Sequence, residues 1–365
     1  MAKKAMLTIG GTYHKVKKQF LTLDGTYRKV KKGFITVGGT YRPFFGGGAP
    51  VYYGEIDSLS LARGQLAATG VGDYALFGGG YDNSGNRCAK VDAYNKNLTL
   101  SKPSGLNGAG YSLSATTVGN LAIFGEGHNG YKVTGYDQSL TRKTMTAFST
   151  ARYMTAAATI GNYALFGGGG YEDSDAGWTY YATVDAYNAS GTRSTCTALS
   201  ETKYNHQAAS NGSYAFFAGG SYAKNVDAYN PSKTKSVCTA LTSTSDDLGA
   251  ANVGDYVIFV QSNVEAYNTS KTKTVCSALP TPAKRNKGVN LGDFAIFAGG
   301  NYNNECLNSV YVFDSSLTRT NEFNLPAKRN ILEGASVGNY AIFAGGTRAT
   351  SGTNRYAANA YAITI

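Results

Sequence analysis

One ten-residue segment recurs seven times along this 365-residue chain. The second residue of each copy is a glycine, which is followed by Asp, Asn or Ser and then by an apolar and aromatic run; most copies end in a glycine pair. The copies are VGDYALFGGG (71–80), VGNLAIFGEG (118–127), IGNYALFGGG (160–169), NGSYAFFAGG (211–220), VGDYVIFVQS (253–262), LGDFAIFAGG (291–300) and VGNYAIFAGG (337–346). The opening Gly-Asp or Gly-Asn is typical of a two-residue hairpin turn, and the apolar run is too short for a helix. Each copy therefore predicts a turn followed by a buried strand.

The spacing of the copies predicts repeated four-stranded units. An aromatic residue follows each copy, at Tyr94, Tyr136, Tyr187, Tyr229, Tyr267, Phe313 and Tyr361. From each of the first six to the next turn glycine there are 25 residues (94 to 119, for example), whereas the stretch before the aromatic varies from 8 to 21 residues. A period of about 44 residues with four short strands is typical of β-propellers. We therefore predict an all-β, seven-bladed β-propeller over residues 50–365, with its length variation confined to one loop per blade.

The seventh unit stops before it can form a fourth strand, because Ile365 lies four residues after Tyr361. In the other units we expect the fourth strand to end in Leu or Phe, thirteen residues before the next turn glycine, and the same count back from Gly72 reaches Leu59. We predict that residues 56–61 supply the missing strand, so that an N-terminal strand closes the last blade. This closure would remove exposed sheet edges.

The glycine pair after the second strand and the aromatic of the third strand resemble kelch repeats, over about residues 54–365. The resemblance implies a propeller fold. It does not imply one activity, because kelch propellers serve as binding platforms, as scaffolds and in some cases as enzymes. Blade five departs from the pattern, since Val260, Gln261 and Ser262 stand where the other copies have their glycines.

Residues 1–49 carry a shorter repeat, LTIGGTYHKVKK, LTLDGTYRKVKK and ITVGGTYRPFF, with Thr12, Thr26 and Thr40 fourteen residues apart. Gly-Gly and Asp-Gly between alternating strands predict three small β-hairpins, and a glycine-rich hinge follows them. Hairpins of this size are marginal alone. We therefore expect a homo-oligomer, with a trimer as one candidate, or docking on another protein. The repeats resemble those at the N termini of tailed-phage virion proteins, which implies a virion location and attachment to other virion proteins.

The positive charge of the chain is concentrated in the same segment. Residues 1–49 hold ten Lys and Arg and one acid, a net charge of +9, whereas the rest holds 24 Lys and Arg and 22 acids, a net charge of +2. Such a segment could bind nucleic acid. Alternatively, its lysines protect strand edges and the segment docks on an acidic protein. We favour the protein partner over nucleic acid.

No apolar stretch follows the basic start MAKKAMLTIGG, so we expect no signal peptide, synthesis in the host cytoplasm and no membrane span. Five cysteines are present, and Cys196, Cys238 and Cys276 share one register, sixteen residues before a turn glycine. We interpret these three as small residues of the fourth strand and not as disulfide partners or metal ligands.

Catalytic patterns are weak. His14, His128 and His206 do not have a metal-ligand spacing, and the glycine run at 167–170 opens no helix. Glu126 and Glu172 could act as a glycosidase pair, but no spacing selects them. We therefore predict a protein that is not an enzyme and that holds neither a cofactor nor a metal.

The variable loops join the second and third strands and are expected to be neighbours on one face of the ring, where a rigid scaffold concentrates function. Aromatic rings beside Asn and Arg suit a sugar or a protein ligand. The predicted ligand-binding residues are Tyr81, His128, Asn129, Tyr171, Trp178, Tyr180, Tyr222, Tyr302 and Arg348. The alternative is that these tyrosines only pack against neighbouring loops.

A second candidate site is a set of basic residues about nine positions before the turn glycines. Its members are Arg63, Arg152, Lys203, Arg285 and Arg329. They could form a basic ring at the mouth of the central channel for an anionic ligand. The alternative is that they form ion pairs between blades, with acids such as Asp246 or Asp247.

These patterns together favour a non-enzymatic bacteriophage virion protein. Its propeller would bind a host-surface glycan or protein receptor, and its N-terminal hairpins would anchor it to the particle. Two alternatives remain: a capsid or collar decoration protein without a specific ligand, and an intracellular kelch-type scaffold for protein interactions.

Overall fold

The computed structural model describes residues 5–9, 12–16, 20–23, 26–29, 34–37, 40–43, 48–127, 132–221, 223–349 and 355–365. The chain divides into two compact units, Met1–Pro50 with Ile365 and Val51–Thr364. Every regular element of the described residues is a β-strand, which confirms the predicted all-β class. Among these residues no helix has the length and apolar character needed to cross a membrane.

The first unit contains the three predicted hairpins. Each consists of two antiparallel strands of four or five residues, and the Gly-Gly or Asp-Gly pair between them lies outside the described residues. The strands are β1 (Ala5–Ile9) with β2 (Thr12–Val16), β3 (Phe20–Leu23) with β4 (Thr26–Lys29), and β5 (Phe34–Val37) with β6 (Thr40–Pro43).

The second unit is a seven-bladed propeller, as the sequence predicts. After β7 (Val51–Ile56), blade one contains β8 (Arg63–Gly64), β9 (Ala67–Val71), β10 (Tyr74–Gly78), β11 (Tyr81–Asp82), β12 (Val91–Asn95) and β13 (Leu100–Ser101). Blade two contains β14 (Ser114–Val118), β15 (Leu121–Gly125), β16 (Val133–Asp137) and β17 (Arg142–Thr144). Blade three contains β18 (Ala156–Ile160), β19 (Tyr163–Gly167), β20 (Gly170–Asp173), β21 (Gly177–Tyr180), β22 (Val184–Asn188) and β23 (Arg193–Thr195).

Blade four contains β24 (Gln207–Ser210), β25 (Ala215–Ala218), β26 (Val226–Tyr229) and β27 (Lys235–Val237). Blade five contains β28 (Gly249–Val253), β29 (Tyr256–Val260), β30 (Val264–Tyr267) and β31 (Lys273–Cys276). Blade six contains β32 (Lys287–Leu291), β33 (Phe294–Ala298), β34 (Asn301–Tyr302), β35 (Glu305–Asp314) and β36 (Arg319–Arg329). Blade seven contains β37 (Glu333–Val337), β38 (Tyr340–Ala344) and β39 (Ala360–Thr364), with β7 as its fourth strand.

The strand β7 closes the ring by pairing antiparallel with β39. The predicted closure is confirmed, but the predicted bounds, 56–61, are wrong. Leu59 lies beyond the strand, where it is buried and its amide donates to the carbonyl oxygen of Ala358 at 2.8 Å. The equivalent Leu199 likewise lies after β23 and is buried. In both blades this leucine fills the connection to the next blade, so the paired strand ends before it.

The turn glycines adopt the backbone conformation that the sequence predicts. All seven have a positive φ, from 51° at Gly254 to 87° at Gly212. A residue with a Cβ atom is strained in this region. Each turn joins the first and second strands of a blade in register, as between Val71 and Tyr74.

The core lies between adjacent blades. In blade one the ring of Phe77 meets that of Tyr94 edge-on, with centroids 5.8 Å apart, and blade two repeats the contact between Phe124 and Tyr136 at 6.0 Å. A Cβ atom on Gly78 would lie 2.9 Å from the ring of Phe124 in the next blade. The blades therefore approach closely enough for one blade's phenylalanine to pack against its neighbour's backbone.

The first strands of the seven blades surround a central channel. The channel has a volume of about 490 Å³ and is lined mainly by Ala, Thr, Ser and Asn. Threonine hydroxyls join neighbouring first strands: Thr69 Oγ1 lies 2.9 Å from Thr117 Oγ1, and Thr159 donates to the carbonyl oxygen of Thr117 at 2.7 Å. The wall of the channel is therefore polar and internally hydrogen-bonded.

Removing the closing strand should open the ring. We expect a chain lacking residues 1–56 to melt about 5 °C or more below a chain lacking residues 1–50, because β39 then becomes an unpaired edge. Thermal unfolding followed by circular dichroism measures the difference. Identical melting curves for the two chains would contradict the assigned role of β7.

Candidate ligand-binding face

One side of the ring carries both the variable loops and the entrances to the first strands. The two kinds of segment pair directly: β11 pairs with β8 in blade one, Gly170 bridges to Tyr153 in blade three, and Asn301 bridges to Lys284 in blade six. We call this side, which carries β8, β11, β20, β21 and β34, the loop face. Its loops are held by backbone hydrogen bonds to the scaffold.

A continuous row of seven aromatic rings crosses the loop face. We call it the aromatic row; in order it comprises Tyr356, Tyr81, Tyr111, Tyr153, Trp178, Tyr180 and Tyr204. Successive ring centroids are 6.4, 5.1, 6.0, 5.5, 5.7 and 4.3 Å apart. The row draws its residues from blades seven, one, two, three and four, so several blades position one surface.

The rings of the aromatic row differ in exposure to solvent. Trp178 is 40% exposed and Tyr180 is 36% exposed, whereas Tyr153 and Tyr356 are buried. Trp178 and Tyr180 stand two residues apart on β21, so both point to the same side of the β20–β21 hairpin. The ring planes of Trp178, Tyr180 and Tyr204 are nearly parallel, with 15° between neighbours. These three rings form a stacked platform.

Sequence reasoning identified only part of this row. It found Tyr81, Trp178 and Tyr180 in the variable loops and missed the four residues at other positions. Tyr111, Tyr153 and Tyr204 each precede a turn glycine by eight residues (119 − 111, 161 − 153, 212 − 204), and this shared register was a signal that could have found them. Blade one has Gly64 in this register, where a Cβ atom would lie 2.8 Å from the ring of Tyr356.

The other predicted ligand residues lie elsewhere on the chain. Tyr171 is half-buried on β20, Tyr302 is 43% exposed on β34, and Arg348 is exposed in blade seven. No ring contact among the described residues joins them to the aromatic row. His128, Asn129 and Tyr222 lie outside the described residues.

The predicted basic ring is wrong for four of its five members, because their side chains are buried and bonded inside the protein. Arg63 pairs with Asp92 at 2.8 Å, and Arg152 pairs with Asp185 at 2.9 Å. The other two are Lys203, whose ammonium lies 3.9 Å from Asp227, and Arg329, which donates to Asn359 at 2.8 Å and to the Tyr361 hydroxyl at 3.0 Å. Their charges therefore do not face the channel mouth.

The aspartates of the third strands explain why these cations are buried. Asp185 accepts the backbone amide and the hydroxyl of Ser149, both at 3.0 Å, on the connection that arrives from blade two. Asp92 accepts the same two groups of Ser60 at 3.1 Å. Each carboxylate thus ties an incoming connection to a blade, and the arginine neutralises its charge. Burial lowers the pKa of the Arg152 guanidinium, although Asp185 opposes the shift.

Arg285 forms an ion pair between blades, as in the alternative interpretation of the basic residues. Its guanidinium is half-exposed and pairs with Asp247 of the preceding connection at 2.8 Å, beside the pair of Lys284 with Asp246 at 3.4 Å. Here the basic residues do form ion pairs between blades.

The channel entrance carries a feature that sequence reasoning missed. Seven non-glycine residues, each seven positions before a turn glycine, have a left-handed backbone with φ between 47° and 57°: Gln65, Ser112, Met154, Asn205, Asp247, Arg285 and Ile331. Backbone hydrogen bonds link some neighbours in this entrance ring, from Ser112 to Gln65 at 2.9 Å and from Met154 to Ser112 at 3.1 Å. Left-handed backbone costs of order 1 kcal/mol per residue. Because the seven residues share no side-chain type, no residue signature marks the ring.

A buried histidine lines the entrance beneath this ring. His206 is 1% exposed and borders a cavity of about 140 Å³, which Lys287 and Glu333 also line. Burial, and then the charge of Lys203, lower the pKa of His206 to about 3, so its imidazole is neutral near pH 7. Burial raises the pKa of Glu333, although the Lys287 ammonium lies 2.6 Å from it. Among the described residues no group of three or more His, Cys, Asp and Glu could hold a metal ion.

No protein-family model matches the sequence, and no curated protein matches it. Among solved structures the chain is similar to YjhT, a propeller protein, with a TM-score of 0.56 and 12% identity over 85% of this chain and 97% of that one. At this identity the likeness shows the fold alone. The propeller fold includes enzymes, such as sialidases, as well as binding proteins.

Removing a buried cation should destabilise the propeller. We expect Arg152→Ala to lower the free energy of unfolding by about 3 kcal/mol or more, because Asp185 then loses its buried counter-charge. The matched control is Lys96→Ala, whose ion pair with Asp73 is exposed on both sides, and it should change stability little. Denaturant unfolding measures both variants. A similar, small effect in both would contradict the structural role given to Arg152.

The buried histidine should make stability depend on pH. An unfolded chain binds a proton on His206 near pH 6.5, whereas the folded chain does so only near pH 3. Stability should therefore fall as pH decreases from 6.5 towards 3, by up to about 1.4 kcal/mol per pH unit from this residue. His206→Gln should remove that part of the slope in unfolding experiments across this range. Parallel slopes for the two proteins would show that His206 is not held neutral.

Proposed function

We propose that the propeller is a non-enzymatic binding head that takes a host-surface glycan or protein receptor on the aromatic row, and that residues 1–49 attach it to a bacteriophage particle. The observation that carries the binding role is the stacked platform of Trp178, Tyr180 and Tyr204. Large aromatic side chains exposed together on a rigid surface are typical of ligand contacts.

The platform is already arranged for binding. Trp178 lies against Tyr153 beneath it, with ring centroids 5.5 Å apart, and the hairpin that carries it is fixed by pairing of Tyr171 with Thr179. Rings held in place by their neighbours lose little conformational entropy when a ligand arrives. Exposed aromatic side chains held in this way suit contact with a sugar or with an apolar protein side chain.

The positions of the perturbed ionisable groups support binding without turnover. Catalytic acids and bases usually combine a shifted pKa with access to the substrate. The pKa of His206 and the pKa of Arg152 are lowered mainly by burial, and that of Glu333 is raised by it. Arg152 is bonded within the scaffold and His206 lies beneath the entrance ring, so neither is part of the exposed platform.

The particle anchor rests on the N-terminal repeats. The net charge of +9 on residues 1–49 favours docking on an acidic virion protein. Their resemblance to repeats of tailed-phage virion proteins supports the location on a particle.

Trp178→Ala should weaken adsorption to host cells or binding to an array of cell-surface glycans. An aromatic anchor contributes about 2 kcal/mol, roughly thirtyfold in affinity. The matched control is Tyr53→Ala, which removes a ring that is 53% exposed and packs on Tyr340 in blade seven. The control should bind like the wild type, and both variants should keep the wild-type melting temperature.

Two results would contradict the proposal. Wild-type adsorption by a folded Trp178→Ala protein would move the ligand site away from the aromatic row. Particles that incorporate a chain lacking residues 1–49 as well as the full chain would refute the anchor.

A further inference from the structure

A pocket lies on the outer side of blade one, at the end of its fourth strand. That strand, β13, has two residues, whereas the fourth strands of blades two, three and four have three. In those blades the residue sixteen positions before the next turn glycine donates its amide to the third strand, as Cys196 does to Val184 at 3.0 Å. Pro103 occupies this position in blade one and has no amide hydrogen. The fourth strand of blade one therefore ends early.

A cavity of about 430 Å³ lies beside the end of β13, and we call it the flank pocket. Lys90, just before β12, and Lys102, just after β13, both line it. Among the described residues that line the pocket none is acidic. The backbone around it is held in place, because the amide of Leu106 donates to the carbonyl oxygen of Ala89 at 2.7 Å. The flank pocket is therefore part of the rigid blade.

The two lysines belong to the same side of blade one. Ala93 pairs with Ser101, and the next position in this register places Lys102 opposite Asp92. Lys90 is two residues from Asp92, so the alternation of side chains along a strand puts all three on one side of the blade. Lys90 and Lys102 are then diagonal neighbours, which lie roughly 7–8 Å apart in a sheet. Two long side chains at this separation can contact one ligand.

The positive charges of these lysines are available to a ligand. Both residues are exposed, and among the described residues neither ammonium forms an ion pair or a hydrogen bond. The nearby carboxylate of Asp92 is buried and already pairs with Arg63 at 2.8 Å. The flank pocket thus carries two positive charges that no acid of the described chain neutralises.

We propose that the flank pocket binds a phosphate group. A lysine ammonium is a compact point charge that suits phosphate, whereas planar carboxylates fit the fork of arginine better. A phosphate monoester carries about two negative charges near neutral pH, which matches two lysines. The group belongs either to a small soluble ester or to a phosphate-bearing polymer of a cell surface. The pocket shares no residue with the aromatic row, so the inference goes beyond the proposed function and does not rest on it.

Lysine acylation followed by mass spectrometry tests this site in the full-length protein, because it reports on each lysine separately. At about pH 8 and low salt, inorganic phosphate should slow the labelling of Lys90 and Lys102 roughly threefold or more as the sites fill. Acetate at the same ionic strength should not slow it. Lys96, which is 56% exposed and pairs with Asp73, is a control within the same molecule and should be labelled at an unchanged rate.

Lys102→Gln should remove most of the protection that phosphate gives to Lys90, because a single exposed lysine holds an anion weakly. Lys143→Gln is the matched control, since it removes the same charge from an exposed position on β17 in blade two. In this control phosphate should protect Lys90 as in the wild type.

Repeating the titration with glycerol phosphate and with poly(glycerol phosphate) identifies the source of the group. Protection by the polymer at the lower phosphate concentration assigns the pocket to a surface polymer, and the reverse order assigns it to a small ester. Equal protection by acetate overturns the phosphate site. So does protection of Lys90 that survives Lys102→Gln, or a lack of protection by all three phosphate compounds.

Discussion

An aromatic side chain in the third strand holds each of the first five blades to the connection before it. Its hydroxyl donates to a backbone carbonyl oxygen across the blade boundary, from Tyr94 to Asp57 at 2.6 Å and from Tyr229 to Thr197 at 2.7 Å. Tyr136, Tyr187 and Tyr267 make the equivalent bond. The ring also meets the phenylalanine of the second strand edge-on, which combines apolar burial with a satisfied polar group. The 25 residues between this aromatic and the next turn glycine are the part of the chain that crosses the blade boundary.

The regular arrangement of the blades also sets the positions of residues on the loop face. The tyrosines eight positions before the turn glycines stand at equivalent places in blades two, three and four, so the frame itself spaces them along the aromatic row. The variable loop of blade three then places Trp178 and Tyr180 beside them. The platform therefore combines Tyr204, whose position the repeat sets, with Trp178 and Tyr180 of the variable loop. Neither part would form the platform alone.

The fold could be predicted because the sequence is periodic. The features that were not predicted are those without a recurring residue pattern. Glycines with positive φ, alternating strands and the 25-residue interval each have a residue signature, so the blades and hairpins were predicted well. The entrance ring had none, because residues as different as Met154 and Ile331 share one backbone conformation imposed by the tertiary structure. The prediction of a basic ring was wrong because a sequence does not show which acid pairs with a given arginine. Asp92 and Asp185 lie 29 and 33 residues after Arg63 and Arg152, on another strand. The predicted bounds of the closing strand were wrong because the buried Leu59 packs beyond the paired residues.

The closing strand places a constraint on how the molecule is made. Glu55 in β7 meets Asn359 beside β39, 304 positions later in the chain. The first strand of the propeller, β7, can therefore pair only after β39 has been synthesised, and contacts so distant in sequence form slowly. During that interval the growing ring has open strand edges, and the same pairing is available to β7 of a second copy. Ring closure within one chain thus competes with strand exchange between chains, and the balance depends on how many copies are being synthesised close together.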